Sequence, residues 1–404
     1  MRVLAVNKFF FVKGGCERYF FDLEELLKSH GHEVRHFSMA HPRNRPSPDS
    51  RFFVSEVDFS AAGSLMGRIK KGTRVVYSRE ARRAMDGAIH EMKPDLVHLH
   101  NVAHQLSPSI LRAVKRAGPP VVQTLHDYKL ICPVYVLMRD GRICEDCRRR
   151  RFYNVAIKGC HPGGLAAGLA NAAEMYLHMC VLKSYDVVRL FICPSRFLME
   201  KMIALGVPEE KLVHLPYFIP VDEYKPCAER GEYYAFAGRL SREKGLGTLM
   251  KAASMAPRMK LMVFGEGPME EELKRRYGSE PWVEFAGHLG AAELRDRLSR
   301  AAFCVVPSEW YENLPLIVME CFALGVPVIA SRIGGLPEMV QNGENGLLFE
   351  PGNAEDLASA ISWLGRHRNV TERMGAQARG FAEREYGPEA HYGRIMEVYK
   401  RVLQ

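Results

Sequence analysis

The segment Phe303-Cys304-Val305-Val306-Pro307-Ser308-Glu309-Trp310-Tyr311-Glu312-Asn313-Leu314-Pro315-Leu316-Ile317-Val318-Met319-Glu320 runs from one apolar stretch, through a polar loop, into a second apolar stretch entered at a proline. The first stretch reads as a buried strand and the second as a helix starting at Pro315. A strand that ends in a loop and feeds a helix turns free backbone N–H groups and a positive dipole end toward whatever lies past the strand. Phosphate suits that position. Glu312 falls in the loop, and Glu320 falls about five residues into the helix, on a face that can reach a ribose. The two carboxylates thus divide between the ends of a nucleotide sugar. Read alone, they would be a surface loop residue and a solvated helix residue. The continuation Cys321-Phe322-Ala323-Leu324-Gly325-Val326-Pro327-Val328-Ile329-Ala330-Ser331, which ends the helix at glycine and opens another apolar strand, favours the first reading.

The same alternation extends both ways, which predicts an α/β protein of two doubly wound parallel sheets. In the first half the expected strands are Val3–Asn7, Glu33–Phe37, Leu96–His100, Val121–Thr124 and Leu190–Cys193, with a helix over Glu17–His30. In the second they are Tyr233–Ala237, Lys260–Phe264, Trp282–Ala286, Phe303–Val306, Val328–Ser331 and Gly346–Phe349. At 404 residues the chain is too long for one ordinary core. Pro216, Pro220, Pro226 and Gly231 interrupt regular structure between the halves, so a domain boundary and a cleft are expected there.

Gly238-Arg239-Leu240-Ser241-Arg242-Glu243-Lys244-Gly245 follows a strand and carries Arg239 and Lys244 near a helix start, where fixed cations suit a diphosphate. Phe264-Gly265-Glu266-Gly267-Pro268 and Phe285-Ala286-Gly287-His288 are further strand ends; Gly265 and Gly287 either let backbone approach a flat base or are simple tight turns. With Glu312, Glu320 and the Ala323–Val328 run, these residues resemble the GT-B-fold retaining glycosyltransferases of the family 4 type (glycosyl transferases group 1). The resemblance covers essentially the whole chain and is strongest from Ala237 to Gly352.

It implies two Rossmann-like domains facing a central cleft. Residues 1–218 would form an acceptor-binding domain completed by a C-terminal helix, 389–404, and residues 219–388 would bind the nucleotide-sugar donor. It further implies that Arg239 and Lys244 neutralise the departing nucleoside diphosphate in place of a metal, consistent with the lack of any Asp-x-Asp motif. Backbone groups near Asn313, Leu314, Pro315 and Leu316 would assist, Glu320 would hold the ribose and Glu312 the donor sugar. No cofactor is then required for catalysis, and UDP and GDP both remain open as the donor base.

In the first half, Lys13-Gly14-Gly15-Cys16-Glu17 follows the first strand without the Gly-x-Gly-x-x-Gly spacing of dinucleotide binders, which disfavours an oxidoreductase. In the resemblance, Gly14 and Gly15 let this domain close on the donor phosphates. His98 and His100 share a strand face, and one of them is expected to be structural. Thr124-Leu125-His126-Asp127 places His126 at a strand end, where it is the candidate contact for the transferred sugar, with Asp127 to orient it. Cys132, Cys144, Cys147 and Cys160 lie within thirty residues of one another and read as a structural zinc site, with unligated thiols or a disulfide pair as alternatives.

Charge is uneven. Residues 1–190 carry 30 Lys+Arg against 18 Asp+Glu, while residues 191–404 carry 26 against 29, so the first half is drawn to anionic surfaces. Arg68, Lys70, Lys71, Arg74, Arg79, Arg82 and Arg83 fall in one expected helix with Leu65, Ile69, Val75 and Val76, which suits either an anionic membrane or a solvated face. No nucleic-acid motif accompanies the charge. Met1–Val6 reads as an immediate strand, not a secretory signal, and no stretch suffices for a spanning helix, so a cytoplasmic protein, peripheral at the inner face of the cell membrane, is expected. The function expected is sugar transfer from a nucleoside diphosphate sugar to a hydroxyl of a lipid-linked or saccharide acceptor, in polysaccharide or glycolipid assembly. The alternatives are a catalytically silent nucleotide-sugar-binding subunit, or a sugar phosphorylase or epimerase of the same fold.

Overall fold

The computed structural model describes residues 1–57 and 65–404, apart from the side chains of residues 65–70. Fourteen strands are found among these residues: β1 (Arg2–Val6), β2 (Glu33–Phe37), β3 (Leu96–Leu99), β4 (Val121–Thr124), β5 (Met138–Arg139), β6 (Arg142–Ile143), β7 (Val188–Cys193), β8 (Leu212–His214), β9 (Tyr233–Ala237), β10 (Lys260–Phe264), β11 (Val283–Gly287), β12 (Cys304–Val306), β13 (Val328–Ser331) and β14 (Gly346–Phe349). They form two six-stranded parallel sheets, ordered β2-β1-β3-β4-β7-β8 and β11-β10-β9-β12-β13-β14, and one antiparallel hairpin, β5–β6. Strands such as Leu96–Leu99 and Val328–Ser331 are buried throughout because helices cover both faces of a parallel sheet.

The chain divides into two compact units, one of Met1–Leu137, Cys144–Leu215 and Tyr392–Gln404, the other of Met138–Ile143 and Pro216–His391. Strand order reverses between β1 and β3 in the first and between β9 and β12 in the second, and such reversals open a crevice beyond the strands' carboxyl ends. Tyr234, Phe236, Val263, Phe303, Val305 and Ile329 fill the core of the second unit between sheet and helices. The last helix, Pro388–Leu403, sends its final turns into the first unit. There the Tyr392 ring stacks on His30 at 3.6 Å, and the Tyr399 hydroxyl bonds His98 Nδ1 at 2.8 Å.

Most strands match the sequence expectation to within a residue or two. Strand β8 and the β5–β6 hairpin were not legible, being three and two residues long. The single basic helix is in fact two, Leu65–Val76 and Arg79–Met92, because Ser78 starts a new helix by accepting a hydrogen bond from Ala81 N at 3.1 Å. Arg74 and Arg82 are tied down, to the Ser55 carbonyl and the Tyr77 hydroxyl. The expected side-chain roles of Leu65, Arg68, Ile69 and Lys70 lie outside the described residues. Among the described residues, no helix is long and apolar enough to cross a membrane.

Candidate active site

In the second unit, the carboxyl ends of β9 and β12 carry the loops Gly238–Gly245 and Pro307–Pro315, and Glu312 stands where the two loops meet. Its Oε1 accepts from Lys244 Nζ and from Ser308 Oγ, both at 2.6 Å. Burial pushes the Glu312 pKa up, but the Lys244 charge and the hydrogen bonds from Lys244 and Ser308 outweigh it, so the carboxyl is held below its usual range. Lys244 Nζ also lies 5.1 Å from the centre of the Trp310 ring, in cation–π range. Two glycines make the arrangement possible. Gly245 and Gly334 adopt φ of 70° and 62°, and a Cβ would overlap the Pro307 carbonyl at the first and the Glu312 backbone at the second. Gly335 N then donates to the Glu312 carbonyl at 2.8 Å.

Successive strand ends are stitched into a rim: Gly238 N donates to the Phe264 carbonyl at 3.0 Å, and Gly265 N to the Gly287 carbonyl at 2.8 Å. Gly265 and Gly287 therefore lie on the same edge as Arg239. That arginine is exposed, and its guanidinium makes no hydrogen bond or ion pair among the described residues. Asn313 is half-buried and Leu314 buried, and Pro315 precedes a helix, Leu316–Ala323, whose first turn has no side-chain cap. Glu320 is buried, with the Tyr224 hydroxyl 3.4 Å from its Oε1, so it is not a solvated helix residue.

In the first unit, Lys8, His100, His104, His126, Asp127 and Lys129 line one pocket at the carboxyl ends of β1, β3 and β4. His126 Nε2 bonds His100 Nδ1 at 2.9 Å, and His98 stacks on His100 with ring centres 4.4 Å apart. Asp127 does not orient His126, contrary to the sequence expectation. Its Oδ1 accepts from Lys129 N at 2.9 Å, a local turn bond two residues away, and His100 is the ring that holds His126. His98, bonded to Thr124 Oγ1 at 2.8 Å as well as to Tyr399, is the structural histidine of the strand pair. Gly14 and Gly15 are exposed at the uncapped start of the helix Gly15–Ser29.

Residues 223–381 match the family of glycosyl transferases group 1, and residues 14–217 match the glycosyl transferase 4-like domain. The chain belongs to the group 1 glycosyltransferase family. It is similar to glycogen synthase of Mycobacterium tuberculosis, 26% identical over 95% of this chain and 90% of that one. Over a shorter stretch, 36% of this chain and 29% of the other, it is 35% identical to the sulfoquinovosyl transferase SQD2 of Arabidopsis thaliana. Two further relatives share stretches covering 20% and 55% of their own lengths, so this chain spans only part of several proteins it resembles. Its fold is that of Anabaena HepE, solved with UDP and glucose, at a TM-score of 0.71, 18% identity, 99% coverage of this chain and 100% of the other. Two six-stranded parallel-sheet units with such neighbours are the GT-B architecture.

Cys132, Cys144 and Cys160 lie near enough to Cys147 to act on it electrostatically, and burial followed by those thiols pushes its pKa up to about 12. Among the described residues, no three His, Cys, Asp or Glu side chains stand where they could hold a metal. Cys144 Sγ donates to Asp146 at 3.3 Å, and Cys160 Sγ to the Asn154 carbonyl at 3.9 Å. Sequence reading passed over Ser308, Trp310, Lys8 and the buried pair of Lys129 with Glu174. Only Ser308, four residues before Glu312, carried a usable local signal.

Burial, and then the charge of Lys8, lowers the His126 pKa to about 3. A histidine with a depressed folded-state pKa contributes stability that is complete above the unfolded value of about 6.5 and is lost as pH falls below it. Between pH 6.5 and 5.5 the chain should lose about 1 kcal/mol through His126 alone. Urea unfolding of wild type and His126→Gln at both pH values checks this, and equal pH dependence in the two would contradict it.

Proposed function

We propose that this chain is a retaining glycosyltransferase that moves a sugar from a UDP- or GDP-linked donor to a hydroxyl of a saccharide or lipid-linked acceptor. The observation that carries the reading is the Lys244–Glu312–Ser308 cluster around a buried carboxylate, with the exposed Arg239 guanidinium on the same loop as Lys244, on the rim formed where the second sheet reverses. Arg239 and Lys244 meet the charge that grows on the diphosphate, and the open N–H groups at the start of Leu316–Ala323 add to them. Glu312, ionised and fixed by two donors, orients Lys244 and accepts from a donor-sugar hydroxyl. Glu320 holds the ribose. In the first unit, His126 offers a neutral imidazole to a sugar hydroxyl.

In the transfer, the bond between anomeric carbon and phosphate oxygen breaks and the acceptor oxygen bonds the same carbon on the same face. The acceptor proton passes to the departing phosphate oxygen. Neither a covalent enzyme intermediate nor a divalent cation is required, since two cations already face the diphosphate.

The test is a panel of UDP- and GDP-sugars incubated with saccharide and lipid-extract acceptors in EDTA, with anomeric configuration followed by NMR. One donor should release its nucleoside diphosphate and give product of unchanged configuration. Donors that bind without turning over would instead favour a silent binding subunit, and inverted product would remove the retaining assignment.

The acceptor side is proposed to work at an anionic membrane. Tyr153, Ile157, Leu165, Leu169 and Val181 are exposed in the stretch that holds the packed helices Asn154–Ile157 and Gly164–Tyr176, and Arg148 to Arg151 are exposed just before it. Apolar side chains flanked by arginines suit insertion beside acidic headgroups. Ile157→Asp with Leu165→Asp should lower binding to vesicles of anionic phospholipid by about tenfold or more in co-sedimentation, with vesicles of neutral lipid binding little in either case. Unchanged binding would withdraw the membrane from the proposal.

A further inference from the structure

The second unit contains a cavity of about 440 Å³ at the amino-terminal ends of β9, β10 and β13, the opposite end of the sheet from Glu312. That volume is within the range of small-molecule sites. Its floor is apolar: Ala256, Ile361 and Leu364 are buried, and Met259 closes against Gly365, where a Cβ would collide with the methionine sulfur.

Its wall is cationic. Arg230, Arg258, Arg366 and Arg368 line it against two carboxylates, Glu232 and Glu372. Arg368 Nε bonds Glu372 at 3.0 Å, which leaves that pair neutral. The guanidinium groups of Arg258 and Arg366 are exposed and make no hydrogen bond or ion pair among the described residues. Arg230 donates to the backbone carbonyls of Ser299, Leu324 at 3.2 Å and Gly325 at 2.8 Å; among the described residues no carboxylate forms an ion pair with it, though Glu372 is near enough to act on it electrostatically. This guanidinium sits half-buried just past the C-terminal end of the helix Leu316–Ala323, where the helix carbonyls favour a cation although burial lowers its pKa.

We infer that this cavity is a second ligand site, separate from the donor site, for a small organic anion with an apolar body. The apolar floor takes the body, and Arg258 and Arg366 take the anionic group. The charge decides the class. A neutral apolar molecule would leave the wall's cationic excess, four arginines against Glu232 and Glu372, without an anion, and an inorganic anion would leave the floor unfilled. An acidic peptide would have to present its anion inside a space of this volume. Arg230, bonded to the carbonyls of Leu324 and Gly325 just past the helix that carries Glu320, places the site at the far end of that helix.

The experiment uses the full chain with excess UDP and GDP, so that the donor site is occupied. Binding of 1-anilinonaphthalene-8-sulfonate is followed by fluorescence, beside N-phenyl-1-naphthylamine, which has the same apolar body without the sulfonate. The variants are Arg258→Ala with Arg366→Ala, both exposed positions, and Ser362→Trp, which fills the cavity. Thermal unfolding confirms that each is folded. The sulfonate should bind saturably, at least about tenfold more weakly in the double arginine variant and in Ser362→Trp, and at least about tenfold more tightly than the neutral amine. Equal sulfonate binding by wild type and the double variant overturns the site. So does non-saturable binding, and neutral amine binding as tightly as the sulfonate overturns the assignment to anions.

Discussion

Lys244→Ala should lower kcat by about 10²- to 10³-fold, the loss found when one preorganised donor is removed from a developing oxyanion. The side chain has two jobs in the proposed mechanism. It meets the diphosphate, and it neutralises a carboxylate buried to 5% exposure. Removing it leaves Glu312 with the Ser308 hydroxyl but no cation, so burial dominates and the carboxyl shifts toward its protonated form. Glu312→Gln tests the second job alone, since it keeps a hydrogen-bond acceptor for Lys244 and removes the charge. The Lys244→Ala/Glu312→Gln double variant should lose much less than the product of the two single losses, because each change already disables the shared contact. Stopped assays of nucleoside diphosphate release, with unfolding midpoints for every variant, measure this. A folded Lys244→Ala protein with kcat within about threefold of wild type would remove the lysine from the mechanism.

The wild-type pair also predicts a pH behaviour. A carboxyl whose folded pKa is depressed contributes stability that is present above its unfolded value and lost as pH falls through the folded one. Glu312 should therefore keep the cluster intact through the usual carboxylate range, and any fall in activity at mildly acid pH must come from other groups.

How much of this was legible in the sequence depends on whether the signal was local. The strand Phe303–Val306, the proline at 315 and the glycine at 325 are consecutive features with local physical meanings, and the structure places a strand, a helix start and a helix end at those points to within a residue or two. Glu312 and Lys244 are different. Each was found by its own neighbourhood, but that they bond one another across 68 positions depends on Gly245 and Gly334 allowing backbones to touch, a contact no spacing encodes. Asp127 shows the opposite failure. Adjacency to His126 suggested a partnership, whereas a short carboxylate is better placed to bond a backbone N–H two residues on.

Lys129 and Glu174 lie 45 positions apart and gave no sequence signal, yet they carry the largest stability effect expected in the first unit. Lys129 Nζ lies 2.7 Å from Glu174 Oε2, with side-chain exposures of 9% and 1%, and it donates to the Pro133 carbonyl at 3.0 Å as well. Burial raises the Glu174 pKa, and the adjacent lysine opposes that rise. Removing one partner of such a pair leaves an uncompensated charge in a dry site, which costs about 3–5 kcal/mol, whereas replacing both by apolar residues of similar size can be nearly neutral. Glu174→Ala should therefore destabilise the chain strongly, and Lys129→Met/Glu174→Leu should recover most of the loss. Urea titrations monitored by circular dichroism give the comparison. If Glu174→Ala cost under about 1 kcal/mol, water would have to reach the lysine, and the pair would not be buried in solution. Lys129 also lines the His126 pocket, so the double variant separates two roles. Restored stability with lost transfer would assign the lysine to acceptor binding, and restored stability with full transfer would confine it to the fold.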